Sequence, residues 1–378
     1  MNKRKKRPPL KGFINYNSYM NEKKNLPVGA WIMLILAVVI GATSLTMTLL
    51  SHHLEKNIVQ QTPEGIYWMP QEMTTTVSLM AAGRINVQAA DSTDQLFSDM
   101  AFIHNYEFAA YTQDTAMALE KGLNVQKGAE AAGFTAVSYA VPDILRNGPA
   151  QVLSILNAAD TEMIVGGIHA STAAQNQLSI RDASGIKIAY LAFTDGLQQP
   201  MLNDEPYLVD VYDDEKTPVL VAKAAGAADL VVVSISWQGE DGQMPSRRQQ
   251  EIAETLAYAG ASVIIGNAGS AIQPTTWIDD CLVYYSLGNL CDTTPGAKRI
   301  GALGAVTVTK IQTGNASRIE LTNPKVDLIG RLTSDKANRI RLLSGFSEQE
   351  LPDRETIVSE KTAVIQMLDD SIRIGGIE

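Results

Sequence analysis

The chain has 378 residues, 45% of them hydrophobic and 19% charged, with a net charge of −10. That length and apolar content can fill a complete core and exclude a disordered chain. The acidic balance argues against a nucleic-acid partner.

Residues 1–27 hold Lys3, Arg4, Lys5, Lys6, Arg7, Lys11, Lys23 and Lys24 against the single acid Glu22, so this tail carries +7 and the remainder −17. Residues 28–50 (VGAWIMLILAVVIGATSLTMTLL) contain no charge over 23 positions. As a helix they would extend ~34 Å, enough to cross a hydrocarbon core. The apolar run is also too long for the core of a cleaved signal peptide. Positive charge stays on the cytoplasmic side, which predicts a single-pass type II protein of the cell membrane with its C-terminal domain outside. Residues 51–73 are polar, hold two prolines and lack a period, the pattern of a stalk. His52 and His53 at its start read as a solvated interfacial pair rather than metal ligands.

From position 74, β-rich apolar runs alternate with helical spacing. Residues 76–81, 100–104, 134–139, 186–193, 230–235, 262–265, 282–286 and 302–309 are predicted strands. Residues 125–132, 149–159 and 247–259 are predicted helices, the last with Ile252, Leu256 and Ala259 on one face. Continuous apolar strands such as DLVVVSI and ASVIIG suit a sheet covered on both faces, so the class is layered α/β. Cys281 and Cys291, ten positions apart beyond the anchor, could pair or remain free buried thiols; without a nearby histidine they make no zinc site. After 328 the chain turns charged and weakly periodic. A domain over 74–328 followed by an appendage of short helices, 329–378, is therefore expected.

Between 228 and 292 the chain runs through strand, SWQGE, a proline-led helix, strand, GNAGSAIQ, strand and YSLGN. This course resembles H-W-G-x-E, G-H-H-P-H-V-x-Q and Y-S-L-G-N-F, in that order, of the capsule and poly-γ-glutamate synthesis family called CapA or PgsA. Earlier pieces fit the same family. VSLMAAGRI resembles its opening strand ending in G-D, Asn105-Tyr106-Glu107 its N-L-E, GFTAVSYA the strand before N-N-H-x-x-D-x-G, and GIKIAYLAFT its G-x-x-I-a-f-l-g-y-T. The resemblance covers about residues 74–312 and implies a calcineurin-like metallophosphatase fold, a four-layer α/β/β/α sandwich of two mixed sheets. It also implies that the motif ends at Gly83, Asn105, Ala140, Trp237, Gly266 and Asn289 gather at one edge. Anchorage by one helix with the domain outside is the arrangement the family suggests as well.

The metal chemistry of that fold is what the sequence lacks. A binuclear centre needs Asp, Asn and His converging on two ions that activate water. At the G-D position stands Gly83-Arg84, a fixed cation in place of a carboxylate. At N-N-H the residues are Val141, Pro142 and Asp143, and the later aspartate is Arg146. Ser236 replaces the histidine of H-W-G-x-E, with Trp237 and Glu240 kept, and Asn267, Ala268 and Ser270 replace the three histidines of G-H-H-P-H, with Gln273 kept at its glutamine. His104 and His169, the other histidines of the domain, fall on no ligand position and read as structural. No metal or other cofactor is expected, and Arg84 is predicted to pair with Glu107 or Asp143 where the metal stood in the family. Trp237 could be a carbohydrate-stacking platform, but packing in the cleft wall is its simpler role.

Three functions follow. The first is a non-catalytic, membrane-anchored protein binding or scaffolding in envelope-polymer synthesis or export, with partner subunits or an anionic or glycan polymer as its contacts. The second is a hydrolase of such a polymer or of a phosphoester, with a site rebuilt from Asp143, Glu107 and Glu240. The third is a structural or adhesion ectodomain. The topology is directly testable: protease added to intact protoplasts should remove everything beyond the stalk and spare the tail, and full protection would reject it.

Overall fold

Side chains alternate along β1 (Glu72–Asn86): Val77, Leu79 and Ala81 enter one apolar cluster, while Met80 and Ala82 enter another on the opposite face. A strand repeats every two residues, so the sheet containing β1 is covered on both sides. The computed structural model describes residues 72–378 apart from 89, 90, 116, 202–204, 240, 241, 297, 298, 335 and 336. The expected tail, spanning segment and stalk lie outside the described residues, except Glu72 and Met73, which begin β1; Glu240 lies outside them too. Among the described residues no helix is long and apolar enough to cross a membrane.

Residues 70–378 form one compact unit. In its first sheet, β1, β2 (Phe108–Gln113), β3 (Ala136–Ser138) and β4 (Ile164–Gly166) run parallel. The second sheet has the order β5-β6-β7-β8-β10-β9. It comprises β5 (Ser179–Ala183), β6 (Ile186–Thr194), β7 (Leu230–Ser236), β8 (Val263–Asn267), β9 (Thr275–Ile278) and β10 (Cys281–Tyr284), with β6, β7, β8 and β10 parallel. The chain then returns to the first sheet, where β11 (Asn289–Asp292) pairs parallel to β1. On the far side of β1 an antiparallel meander adds β12 (Ile300–Thr313), β13 (Ala316–Ser334) and β14 (Ala337–Leu342). Finally β15 (Arg373–Ile374) pairs with β13.

Three apolar layers hold these sheets. Leu79, Ala110 and Ala136 of the first sheet meet Ile188, Val232, Ile265 and Tyr284 of the second in a common core. Outside the first sheet, Val125 and Ala129 of α1 (Leu119–Ala132) and Val152 and Ile155 of α2 (Pro149–Ala158) cover Met80, Ala109 and Val137. The one-turn α3 (Thr172–Gln175) buries none of its residues. Outside the second sheet, Val221 of α4 (Lys216–Ala225) and Ile252, Ala253 and Leu256 of α5 (Arg247–Tyr258) cover Val231, Val233 and Ile264. The order is helix, sheet, sheet, helix. A capping box starts α5: Ser246 Oγ accepts from Gln249 N at 3.2 Å and Gln249 Oε1 accepts from Ser246 N at 2.7 Å.

Two expectations are corrected. Residues 100–104 are not a strand; Ala101–Asn105 is a 3-10 helix, and the strand is Phe108–Gln113. Met100 and Ile103, three apart, are the buried residues of that turn, so its spacing is helical, while the alanines of FAAYTQ carry little strand signature. Residues beyond 328 are not mainly short helices: β13 passes through 328 unbroken, β14 adds a strand, and α6 (Arg354–Ile365) buries Ile365 in the inter-sheet core. Along β14, buried Asn338 and Ile340 alternate with Arg339 and Arg341, a period of two that the charges obscure.

Cys281 faces the helices over the second sheet and Cys291 the opposite outer core, so the two are free thiols on faces that cannot meet. Burial pushes both thiols up, Cys291 to about 12.

The chain crosses between sheets through residues 285–288, where three glycines leave it room. A Cβ at Gly83 would stand 2.0 Å from the Gly288 carbonyl oxygen, one at Gly266 2.1 Å from that of Tyr285, and one at Gly301 1.9 Å from that of Asn289. Gly83→Ala should therefore lower stability by about 3 kcal/mol, because backbone rather than a flexible side chain must move. Gly314→Ala, in open space at a φ of 61°, should lose only about 1 kcal/mol to backbone strain. Urea midpoints at unchanged m-value read both, and equal effects would reject the crowding.

Candidate functional site

Parallel strands bring their carboxyl ends to one edge, and in α/β sheets ligands bind outside such ends. Here the ends of β1 and β2 place Arg84, Thr112 and Asp114 beside Ser236 and Asn267 at the ends of β7 and β8. The two sheets touch there directly: Asn267 Nδ2 donates to Thr112 Oγ1 at 2.8 Å, both residues being buried. A cleft of about 690 Å³ opens above, walled further by Asp143, Arg146, Trp237, Ser270 and Asp292. A groove of similar size, about 700 Å³, lies at the amino ends of β8 and β10 and gathers no such strand ends.

Arg84 pairs with neither Glu107 nor Asp143. Its Nη1 lies 3.5 Å from Asp114 Oδ2, with side chains 26% and 6% exposed. Asp143 instead holds Arg146, Oδ2 to Nη2 at 2.7 Å, with Arg146 52% exposed. The register explains the first choice, since Arg84 stands opposite Thr112 and so near the end of β2. Glu107 precedes β2, ~23 Å away at strand rise. There its carboxylate accepts from Ser78 N at 2.7 Å, and Asn105 Nδ2 donates to the Glu378 backbone oxygen at 3.1 Å. Asn105 and Glu107 are thus outside the cleft. The post-strand position belongs to Thr112, Gln113 and Asp114, whose signal in the sequence is a carboxylate closing the apolar run FAAYTQD.

Of the other expected residues, Ser236, Trp237, Asn267 and Ser270 line the cleft with Arg84 and Asp143. Trp237 is 4% exposed and donates from Nε1 to the Tyr285 carbonyl at 2.8 Å, which makes it wall and not platform. Gln273 lies behind: its Nε2 donates to the Gly242 carbonyl and its Oε1 accepts from Gln249, each at 2.9 Å, tying the loop before α5 in place. His169 binds Asp210 at 2.6 Å, and His104 is an exposed residue of the 3-10 turn. Near the cleft, Asp195 accepts from Gln238 N, yet burial pushes its carboxyl up to about 6. Its contribution to the fold is therefore complete below about pH 4 and is lost as pH rises through 6.

The donor set does not fit a binuclear metal centre. It consists of the guanidiniums of Arg84 and Arg146, neutral hydroxyls and amides, and carboxylates of which Asp114 and Asp143 are paired to arginine. Among the described residues no three of His, Cys, Asp and Glu gather in a way that could hold a metal ion. A fixed cation at the centre of such a site opposes metal entry.

A family model described as bacterial capsule synthesis protein PGA_cap matches residues 93–294. The chain is 30% identical over 128 residues to the PGA biosynthesis protein CapA of Bacillus subtilis (strain 168), covering 33% of each. It is 27% identical over 172 residues to the capsule biosynthesis protein CapA of Bacillus anthracis, covering 43% of this chain and 41% of that one. The chain spans between 33% and 41% of the length of these curated relatives. A crystal structure of a hypothetical protein from Thermus thermophilus aligns with a TM-score of 0.37 at 12% identity, over 65% of this chain and 98% of that one.

Removing one partner of a partly buried pair strands the other, so Arg84→Ala should lower stability by about 1–3 kcal/mol through Asp114. Adding Asp114→Asn should return part of that loss, a coupling that a double-mutant cycle reads. Arg146→Ala, at a half-exposed pair, should lose under ~1 kcal/mol. Strict additivity of the Arg84 and Asp114 changes would reject the pair.

Proposed function

The chain belongs to the family of bacterial capsule synthesis proteins, PGA_cap, and from that premise we propose that it serves in the synthesis or export of a capsule polymer such as poly-γ-glutamate. In this reading residues 28–50 anchor it in the cell membrane as a type II protein, and the metallophosphatase-like double sheet stands outside as a binding or scaffolding component without hydrolytic activity. The uncharged 23-residue run behind a basic tail supports the anchor. The observation that carries the non-catalytic part is Arg84, paired to Asp114 at the position where the family resemblance calls for a metal-binding aspartate. A rebuilt hydrolytic site is less supported, since Glu107 lies away from the cleft and Asp143 is held by Arg146.

Deleting the gene in a polymer-producing strain should abolish surface polymer, and the full chain should restore it. The purified full chain supplied with manganese or zinc should show no phosphoesterase turnover and release no glutamate from the polymer. Undiminished polymer in the deletion strain rejects the assigned role. Metal-dependent turnover that disappears in Asp143→Asn rejects the non-catalytic part.

A further inference from the structure

Several buried side-chain atoms at the meeting of the two sheets have no hydrogen-bond partner among the described residues: Arg84 Nε, Ser236 Oγ, Asn267 Oδ1 and both amide atoms of Asn289. Ser236, Asn267 and Asn289 are only 3%, 4% and 2% exposed. Each such group costs ~1–3 kcal/mol when left unpaired, and native proteins keep few of them. These come in pairs. Ser236 and Asn267 are register partners across β7 and β8, Arg84 and Asn289 across β1 and β11, and the Asn267–Thr112 hydrogen bond joins the two pairs.

Their chemistry is directional. The Arg84 guanidinium reaches the cleft, and its 3.5 Å contact with Asp114 exceeds the ~2.7–2.9 Å of a strong charge-assisted hydrogen bond. It therefore retains donor capacity toward the cleft. On the cleft wall the Ser236 hydroxyl adds a donor and Asn267 Oδ1 an acceptor, while Asn289 stands behind Arg84 in the register. We propose that this cleft is a carboxylate-binding site, in which Arg84 receives the anion and Ser236 and Asn267 complete the polar contacts of an adjacent amide or hydroxyl. The proposal rests on the polymer-binding reading above and names the chemistry that reading would use.

A carboxylate fits better than a phosphate. Asp114, Asp143 and Asp292 line the same cleft, so a dianion meets more repulsion than a monoanion. The other guanidinium among the described residues of the wall, Arg146, is already held by Asp143 at 2.7 Å, leaving Arg84 as the loosely paired cation for one negative charge.

Calorimetric titration of the full chain in detergent tests this with four probes: N-acetylglutamine, a γ-linked glutamate oligomer, the same oligomer with its carboxylates converted to amides, and inorganic phosphate. The glutamate oligomer should bind at least tenfold more tightly than its amidated form, and phosphate no better than the latter. Arg84→Gln should weaken binding tenfold or more. Ser236→Ala removes only an unpartnered hydroxyl, so it keeps the fold and should weaken binding two- to fivefold; it decides the matter if Arg84→Gln does not fold. Binding of N-acetylglutamine at comparable strength supports a receptor for small carboxylates, and binding of the oligomer alone supports a receptor for the polymer. Equal affinity for charged and amidated oligomers, tighter binding of phosphate, or unchanged affinity in the variants that fold overturns the site. No binding of any probe, by a chain that still restores polymer to the deletion strain, overturns the carboxylate site alone and leaves the polymer role intact.

Discussion

The chain changes sheets between Tyr284 and Asn289 through a passage too narrow for one side-chain carbon, and the placement of the cleft follows from that crossing. Gly83 of β1 and Gly266 of β8 each face a carbonyl of the crossing segment, and Gly301 of β12 faces that of Asn289, where the segment enters β11. Ser286 then locks the loop after β8. Its Oγ accepts from Ala268 N at 3.0 Å and Gly288 N at 3.2 Å and donates to the Ala271 carbonyl at 2.6 Å. Trp237 closes the other side on Tyr285. These contacts hold the ends of β1, β7 and β8 at one level without calling on the side chains of Arg84, Ser236 or Asn267.

That independence lets the strand ends carry different side chains on one frame. In a metal centre the ions themselves tie strand ends together. Here a neutral hydrogen bond from Asn267 to Thr112 joins the sheets, and an ion pair from Arg84 to Asp114 spans neighbouring strands of one sheet. Neither is strong, and neither has to be: three apolar layers on and between the sheets supply the large burial term, and the crossing supplies the register. The edge is thereby free to change the sign of its charge.

Much of the architecture was legible because both sheets are sandwiched. Runs such as LVVVSIS and VIIGN, buried at every position, can only be strands covered on two faces, and α5 shows its single apolar stripe in Ile252 and Leu256. The serine and glycine of the Y-S-L-G-N motif, read only as a family resemblance, serve backbone geometry at the crossing. The misplacements have one physical source: local signal was weak where tertiary contacts decided. FAAYTQ is a strand because it lies between β1 and β3, not because alanine prefers strands. Missing it put Glu107, at the other end of β2, among the candidate partners of Arg84 and hid Asp114, the partner that Arg84 has. Beyond 328, arginines on the outer positions of β14 masked an alternation that the sheet edge tolerates.

The remaining tension is energetic. Buried groups on Arg84, Ser236, Asn267 and Asn289 with no partner among the described residues would, at ~1–3 kcal/mol each, draw on a typical total stability of only about 5–15 kcal/mol. An apolar residue of similar size at Ser236, on the cleft wall, would remove its share of that penalty without disturbing the crossing. A structural role alone therefore gives no reason for a polar group at this position. Recognition does, because groups that are costly when alone are also the ones that discriminate most sharply between a ligand that completes them and one that does not. The same physics accounts for the loose Arg84–Asp114 contact: a guanidinium held at full strength by its own domain would have little left to offer an incoming anion.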